Sequence, residues 1–260
     1  MSKKNIINEK NFITTSSNSE NDVIKFYEEY ADNWDNRFGD FKSTNHFLEK
    51  RFSIFEKFIK INKKNSKSAL ELGVGTGVYI NKLTKLFNKI TAVDGSNQMI
   101  SILKKKVSKN KIKNVDCLCL NVLDMKELKD QSFDCIYFFG LIEHIVDTSK
   151  FLNEMKRLLK PDGIVIGVTP NNNSPWYKLR KLIRGTGLHC STDKYYDEKS
   201  INQLFEKNGF KKERLIFWGA VPAGISDIYF YFLLLIEIIF ERCFLKKYLG
   251  GMTFIYRINK

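Results

Sequence analysis

The sequence predicts an α/β fold built on a mainly parallel sheet. Three observations predict it. Short apolar runs of strand length recur along the chain, helix-period segments separate them, and a glycine-rich loop joins the first strand to its helix. A chain of 260 residues with 43% hydrophobic side chains suffices for one domain with a full core.

Residues 1–20 are polar and aperiodic and read as a tail, with 21–260 as a single domain. A helix over 23–34 carries Val23, Phe26, Tyr27, Tyr30 and Trp34 at helical spacing. A second, over 45–61, sets Phe47, Leu48, Phe52, Phe55, Phe58 and Ile59 on one side. The rhythm then shortens: a buried strand over 68–74 runs into Gly73-Val-Gly-Thr-Gly77, and a helix over 78–87 follows. Strand 90–93 precedes helix 98–109, strand 115–122 precedes a turn near Glu127, and strand 133–139 precedes helix 148–159. Lys160-Pro-Asp-Gly163 ends that helix, and strand 164–168 stops at Pro170. Beyond it lie a loosely patterned segment, 171–197, containing a basic amphipathic piece over 176–184, and a helix over 198–207. Strand 212–218, an apolar helix over 227–245 and strand 252–258 complete the chain.

The loop has chemical content. Gly73 and Gly75 permit a tight turn and a close backbone approach, and Gly77 lets a helix begin against the sheet. A helix N-terminus in that place favours an anionic group. Asp94, ending the second strand, sits where a carboxylate can accept from both hydroxyls of a ribose. Together these features point to a nucleoside-containing cofactor. A nicotinamide cofactor shares them, although its fingerprint has the third glycine one position later.

Ala69-Leu-Glu-Leu-Gly-Val-Gly-Thr-Gly-Val78 and Ala92-Val-Asp-Gly-Ser96 resemble the first two motifs of the class I S-adenosylmethionine-dependent methyltransferases. Asn121-Val-Leu-Asp124, Ser132-Phe-Asp-Cys-Ile136, Leu141-Ile-Glu-His144, Leu158-Leu-Lys-Pro-Asp-Gly163 and Asn208-Gly-Phe210 resemble that family's later motifs in the same order. The resemblance implies a Rossmann-like seven-stranded sheet in the order 3-2-1-4-5-7-6. Its last strand is antiparallel, helices cover both faces, and an N-terminal helical segment caps the cofactor.

It also implies S-adenosyl-L-methionine as cofactor, with Gly73, Gly75, Gly77 and Glu71 around the methionine part. Asp94 and Gly95 would lie at the ribose, Asn121 and Val122 at the adenine edge, and Phe139, Gly140 and Leu141 after strand four. Asn121 departs from the Asp usual in close relatives, but an amide oxygen can still accept. Tyr27, Tyr30 and Arg37 fall in the segment that often covers the cofactor. Ubiquinone-pathway O-methyltransferases share the Leu-x-Glu-His segment, and some are thought to bind a metal through a Glu three residues before the shared Glu. Gly140 stands there, so no metal is expected.

A hydroxyl acceptor is helped by a general base. His144, after Glu143 at the strand-four exit, and His189, in Leu188-His-Cys-Ser-Thr-Asp-Lys-Tyr-Tyr196, are the candidates. Each is weighed against an ordinary structural histidine. Trp176 and Tyr177 offer an acceptor wall or simple packing. In the segment 228–240 only Glu237 is charged. This is shorter than the roughly 20 residues needed to span a bilayer. It reads either as a buried lid between strands six and seven or as an interfacial helix, aided by Arg242, Lys246 and Lys247.

The net charge of +14 is spread along the chain as lysine accompanying Asn and Ile, more like compositional bias than a nucleic-acid patch. No Asn/Asp-Pro-Pro-aromatic or Pro-Cys motif supports a nucleic-acid methyltransferase, although an RNA acceptor is the rival within the class. A non-catalytic cofactor-binding or membrane-associated protein is the rival outside it. Five cysteines without metal spacing, and no apolar signal run near Met1, suit a reducing cytoplasm. A lipid-linked acceptor would add peripheral contact at the inner membrane face. The expectation is methyl transfer to a small or lipid-linked acceptor, at oxygen.

Overall fold

The computed structural model describes residues 19–38, 41–62, 67–184 and 193–259. Seven strands form one sheet: β1 Ser68–Leu72, β2 Lys89–Asp94, β3 Val115–Cys119, β4 Phe133–Phe139, β5 Leu159–Pro170, β6 Phe210–Trp218 and β7 Gly251–Ile258. Their order is β3-β2-β1-β4-β5-β7-β6. The first five pair in parallel, and β7 runs antiparallel between β5 and β6. The order and the reversed last strand are those that the motifs imply.

Period-two alternation builds a core on each face. Leu70, Leu72, Ile136 and Phe138 join one buried cluster with the helices α5 (Thr148–Leu158) and α7 (Glu198–Lys207). Ala69, Cys135 and Tyr137 join the other, beneath α2 (Lys42–Ile61). Strands covered on both faces need apolar residues at nearly every position, which is why these runs do not alternate in sequence. The outer strand β6 instead exposes Lys211, Lys212, Glu213 and Arg214, charges that discourage edge pairing.

The remaining helices are α1 (Glu20–Tyr30), α3 (Ile80–Leu83), α4 (Asn97–Lys109), α6 (Pro175–Arg184) and α8 (Asp227–Glu241). The helix expected over 23–34 ends at Tyr30 and the strand expected over 115–122 ends at Cys119, and three further elements differ from their sequence pattern. The helix expected over 78–87 contracts to α3, because Lys82, Lys85 and Leu86 bond three residues back and tighten the turns around it. Strand β5 starts at Leu159 rather than 164, since Leu159 already pairs with Phe133 across a bulge. The apolar helix stops at Glu241, and Phe244–Tyr248 forms a separate 3-10 turn.

Parallel strands end together. β1 has β2 on one side and β4 on the other, so chain connections leave in opposite directions at their carboxyl ends and open a crevice there. This places Glu71, Asp94, Phe139 and Thr169 around one cavity.

Candidate active site

The cavity is about 760 Å³, ordinary for a site that holds a small organic molecule. Its floor is the glycine loop. Gly73, Gly75 and Gly77 have φ of +65°, +55° and +73°, in the left-handed region that favours glycine. A Cβ on Gly73 would meet Leu141 at 2.8 Å, and one on Gly77 would meet Leu103 at 2.5 Å. Gly73 and Gly75 line the cavity, whereas Gly77 packs behind it and lets α4 approach.

Asp94 fixes this loop from the neighbouring strand. Its Oδ2 accepts from the Gly75 amide at 2.8 Å and its Oδ1 from the Ser96 amide at 3.0 Å. Burial raises its pKa, while those amides oppose the rise. Glu71, one strand over, is buried and accepts from the Tyr137 hydroxyl at 3.3 Å. Burial pushes the Glu71 carboxyl up to about 8, against the pull of Tyr137 and Arg51. Gly95, Asn121, Val122, Phe139, Gly140 and Leu141 all line the same cavity. Asn121 spends its Oδ1 on the Leu123 amide at 2.9 Å, so this oxygen also holds the turn after β3.

The N-terminal segment closes the near side. Glu28 accepts from the Ser96 hydroxyl and the Gln98 amide, which clamps α1 onto the start of α4. Asp32 accepts from Gln98 and Asp35 from Thr76. Val23, Ile24, Tyr27 and Trp34 thereby line the cavity, whereas Tyr30 does not, and stacks with Phe26. The side chain of Arg37 lies outside the described residues.

His144 occupies a 3-10 turn, Ile142–His144, at the β4 exit and is buried. Its Nδ1 lies 2.6 Å from Asp193 Oδ1, and its Nε2 lies 2.9 Å from the Tyr27 hydroxyl. A carboxylate has no proton to give, so Nδ1 donates to Asp193, and in the neutral form of the ring Nε2 is the acceptor facing the Tyr27 hydroxyl. Glu143 beside it is buried and accepts from Thr169 at 3.0 Å. Asp193 was missed from sequence, although it stands four residues beyond the candidate His189. His189 itself lies outside the described residues. Among the described residues no group of three His, Cys, Asp or Glu is arranged to hold a metal.

The far wall holds Trp176, Tyr177, Leu179, Trp218 and the loop 219–225. The apolar helix α8 contributes nothing to it and is not a lid over the cavity. Its single interior charge explains its placement. Glu237 is buried and accepts from His46 at 3.0 Å and from the Ala220 amide at 2.8 Å, with Lys50 at 3.3 Å. Burial opposes ionisation of Glu237, but His46, the Ala220 amide and Lys50 together hold its pKa below the usual carboxylate value.

Comparison with known proteins agrees with this geometry. Residues 70–167 match the family described as a methyltransferase domain. Over those residues the chain is similar to the class I S-adenosylmethionine-dependent methyltransferases, whose motifs it carries in order. The chain is 30% identical over 149 residues to a ubiquinone biosynthesis O-methyltransferase of Nitrobacter winogradskyi, covering 54% of this chain and 55% of that one. It is 24% identical over 159 residues to the Neisseria meningitidis protein of the same name, covering 61% and 65%. It thus spans between half and two thirds of the length of these relatives. A solved S-adenosylmethionine-dependent methyltransferase from Aquifex aeolicus superposes with a TM-score of 0.54 at 19% identity, over 76% of this chain and 88% of that one. That likeness supports the fold.

The cavity fits S-adenosyl-L-methionine, the cofactor of the methyltransferases that the chain resembles. It offers two carboxyl groups for hydroxyls and positive charge, a loop open at Gly75, and apolar walls at Val122, Leu141 and Met99.

Proposed function

We propose that this chain transfers a methyl group from S-adenosyl-L-methionine to a hydroxyl oxygen of a small, apolar-tailed acceptor, with His144 as the base. The observation that carries the reading is the chain of hydrogen bonds Tyr27–His144–Asp193, of which Tyr27 and His144 line the cavity. It pairs a proton acceptor with a buried carboxylate that orients it.

The cofactor, when bound, supplies a methyl group on a positively charged sulfonium. Asp94 and Gly95 would hold its ribose, with Asn121 and Val122 at the adenine edge. Gly73, Gly75 and Glu71 would meet the amino-acid end, and Phe139 to Leu141 would complete the wall. Methyl transfer of this kind needs alignment and exclusion of water more than covalent help from the protein. Tyr27 of α1 and Trp34 just beyond it provide part of that exclusion by lining the cavity.

As the acceptor oxygen gains its methyl group it loses a proton. Tyr27 takes that proton at its hydroxyl oxygen and passes its own to His144 Nε2. Asp193 stabilises the resulting imidazolium, so the proton rests on His144 until solvent removes it.

The relatives named for ubiquinone biosynthesis support a quinone-type ring with a lipid tail as acceptor. The wall of Trp176, Tyr177, Leu179 and Trp218 has the aromatic and apolar character that such a ring would pack against. Peripheral contact with the inner face of a membrane goes with such a substrate. Tritiated S-adenosyl-L-methionine and an isoprenoid-tailed phenol test the reading. Label should pass to the phenol with the wild type and not with Asp94→Ala. Label passing to added RNA, or to neither, would refute it.

A further inference from the structure

The outward face of α8 is unlike the other helical surfaces among the described residues. Ile228, Tyr231, Phe232, Leu235, Ile238 and Ile239 recur at spacings of three, four and seven and form one stripe. The stripe points away from the protein: Ile228 is 78% exposed, Phe232 65% and Leu235 56%. The opposite face holds buried Phe230 and Glu237. The burial rule is therefore inverted here. The helix turns its one interior carboxylate inward, where His46, Lys50 and two backbone amides satisfy it, and presents its hydrocarbon outward. A contiguous apolar surface of this kind marks an interaction site.

The charges at its ends select the partner. Lys42 stands beside the first turn, donating its backbone amide to Asp227 and its ammonium to the Tyr231 hydroxyl at 3.2 Å. Arg242, Lys246 and Lys247 are exposed just past the last turn. Of the nearby acids, Glu241 is paired with Lys50 at 2.7 Å, which leaves Asp227 against four cations. A second copy docked by a two-fold axis would bring the basic ends of the two helices together. An anionic lipid surface complements the same ends and accepts the apolar stripe. Among the described residues no helix is long and apolar enough to cross a membrane, so the helix would lie in the interface plane. The loop 219–225 leads directly into α8 and lines the cavity, and it links this surface to the site entrance.

We infer that α8 is an interfacial docking surface that seats the enzyme on an anionic bilayer, with the stripe Ile228–Phe232–Leu235–Ile239 immersed to about 5–10 Å. The inference deepens the functional reading above, since it names the surface from which a lipid-tailed acceptor would be drawn. Its test needs no methyl transfer.

The full chain is floated with vesicles of phosphatidylcholine containing phosphatidylglycerol, and with phosphatidylcholine alone. The wild type should bind the mixed vesicles, and raised salt should weaken the binding. The double variant Phe232→Glu/Leu235→Glu should lose about tenfold or more in partitioning, because two charged groups replace apolar ones in the immersed stripe. Both positions are exposed and lie outside the cavity, so calorimetric binding of S-adenosyl-L-methionine should be unchanged in this variant. Lys246→Glu/Lys247→Glu should lose binding to the mixed vesicles with the same fold intact. No flotation, equal binding to the uncharged vesicles, or equal binding by the Phe232/Leu235 variant would overturn the inference. So would a dimer in light scattering that this variant dissolves. Vesicle binding without any binding of the cofactor would instead overturn the functional reading and leave the docking surface standing.

Discussion

Glu71→Gln probes the electrostatics of the proposed cofactor site. The carboxyl is buried at the end of β1, and its pKa in the empty site is pushed up to about 8. A ligand bearing a sulfonium and an ammonium favours the ionised carboxylate, so below pH 8 binding must first expel a proton. At pH 8 half of the Glu71 side chains are ionised and at pH 6.5 about 3%, so affinity should fall about 16-fold, or about 1.6 kcal/mol. Glu71→Gln, locked in the neutral state, should bind more weakly than wild type at pH 8 and change little with pH. Titration calorimetry from pH 6.5 to 8.5 measures both, and comparing the two proteins cancels any titration of the ligand. Wild-type heats in buffers of different ionisation enthalpy should also reveal proton release at pH 6.5. An equal pH slope in wild type and variant would refute the assignment of Glu71 to the charged end of the cofactor.

The same group carries a stability prediction. Its folded pKa lies above the unfolded value of 4.5, so the native state holds the extra proton and stability falls as pH rises toward 8. Denaturant unfolding of the cofactor-free protein should lose about 2 kcal/mol between pH 6 and pH 8 through this group, and Glu71→Gln should remove that loss. Asp94→Ala deletes the acceptor of the Gly75 and Ser96 amides and the proposed ribose partner, and calorimetry should show cofactor affinity reduced by about 10-fold to 100-fold or more. Tyr27→Phe should leave the cofactor Kd within a few fold and slow methyl transfer, since it removes the hydroxyl on His144 but keeps the ring against Trp34. Glu237→Ala strands His46, Lys50 and the Ala220 amide around an empty site, and should cost about 3 kcal/mol or more in thermal or denaturant unfolding.

The sheet was legible because strands covered on both faces are nearly continuous apolar runs, and the turns between them carry glycine and proline. The glycine loop and Asp94 were legible for a related reason. Their chemistry is local to two strand ends, and a fixed spacing brings them together. The roles of Asp193 and Glu237 were not, because both arise from tertiary contact. Asp193 reaches His144 across 49 positions, and Glu237 meets His46 across 191. Read alone, an isolated acid in an apolar helix suggests either a spoiled membrane span or a chance charge. Its meaning appears only when α2 and the loop at Ala220 are seen to converge on it. Likewise the helical period of α8 identified a helix but not which face was inward. The most hydrophobic stripe proved to be the outer one, because one well-satisfied carboxylate, with Phe230, anchors the other.

The most direct test of the central claim is a single-turnover measurement with cofactor already bound. Tritiated S-adenosyl-L-methionine is loaded onto wild type, His144→Ala and Asp193→Asn, and each is mixed with an isoprenoid-tailed phenol. The account predicts equal cofactor affinity in all three and transfer slowed by about 10²-fold to 10⁴-fold in His144→Ala, with a smaller loss in Asp193→Asn. Transfer at the wild-type rate in His144→Ala would contradict it.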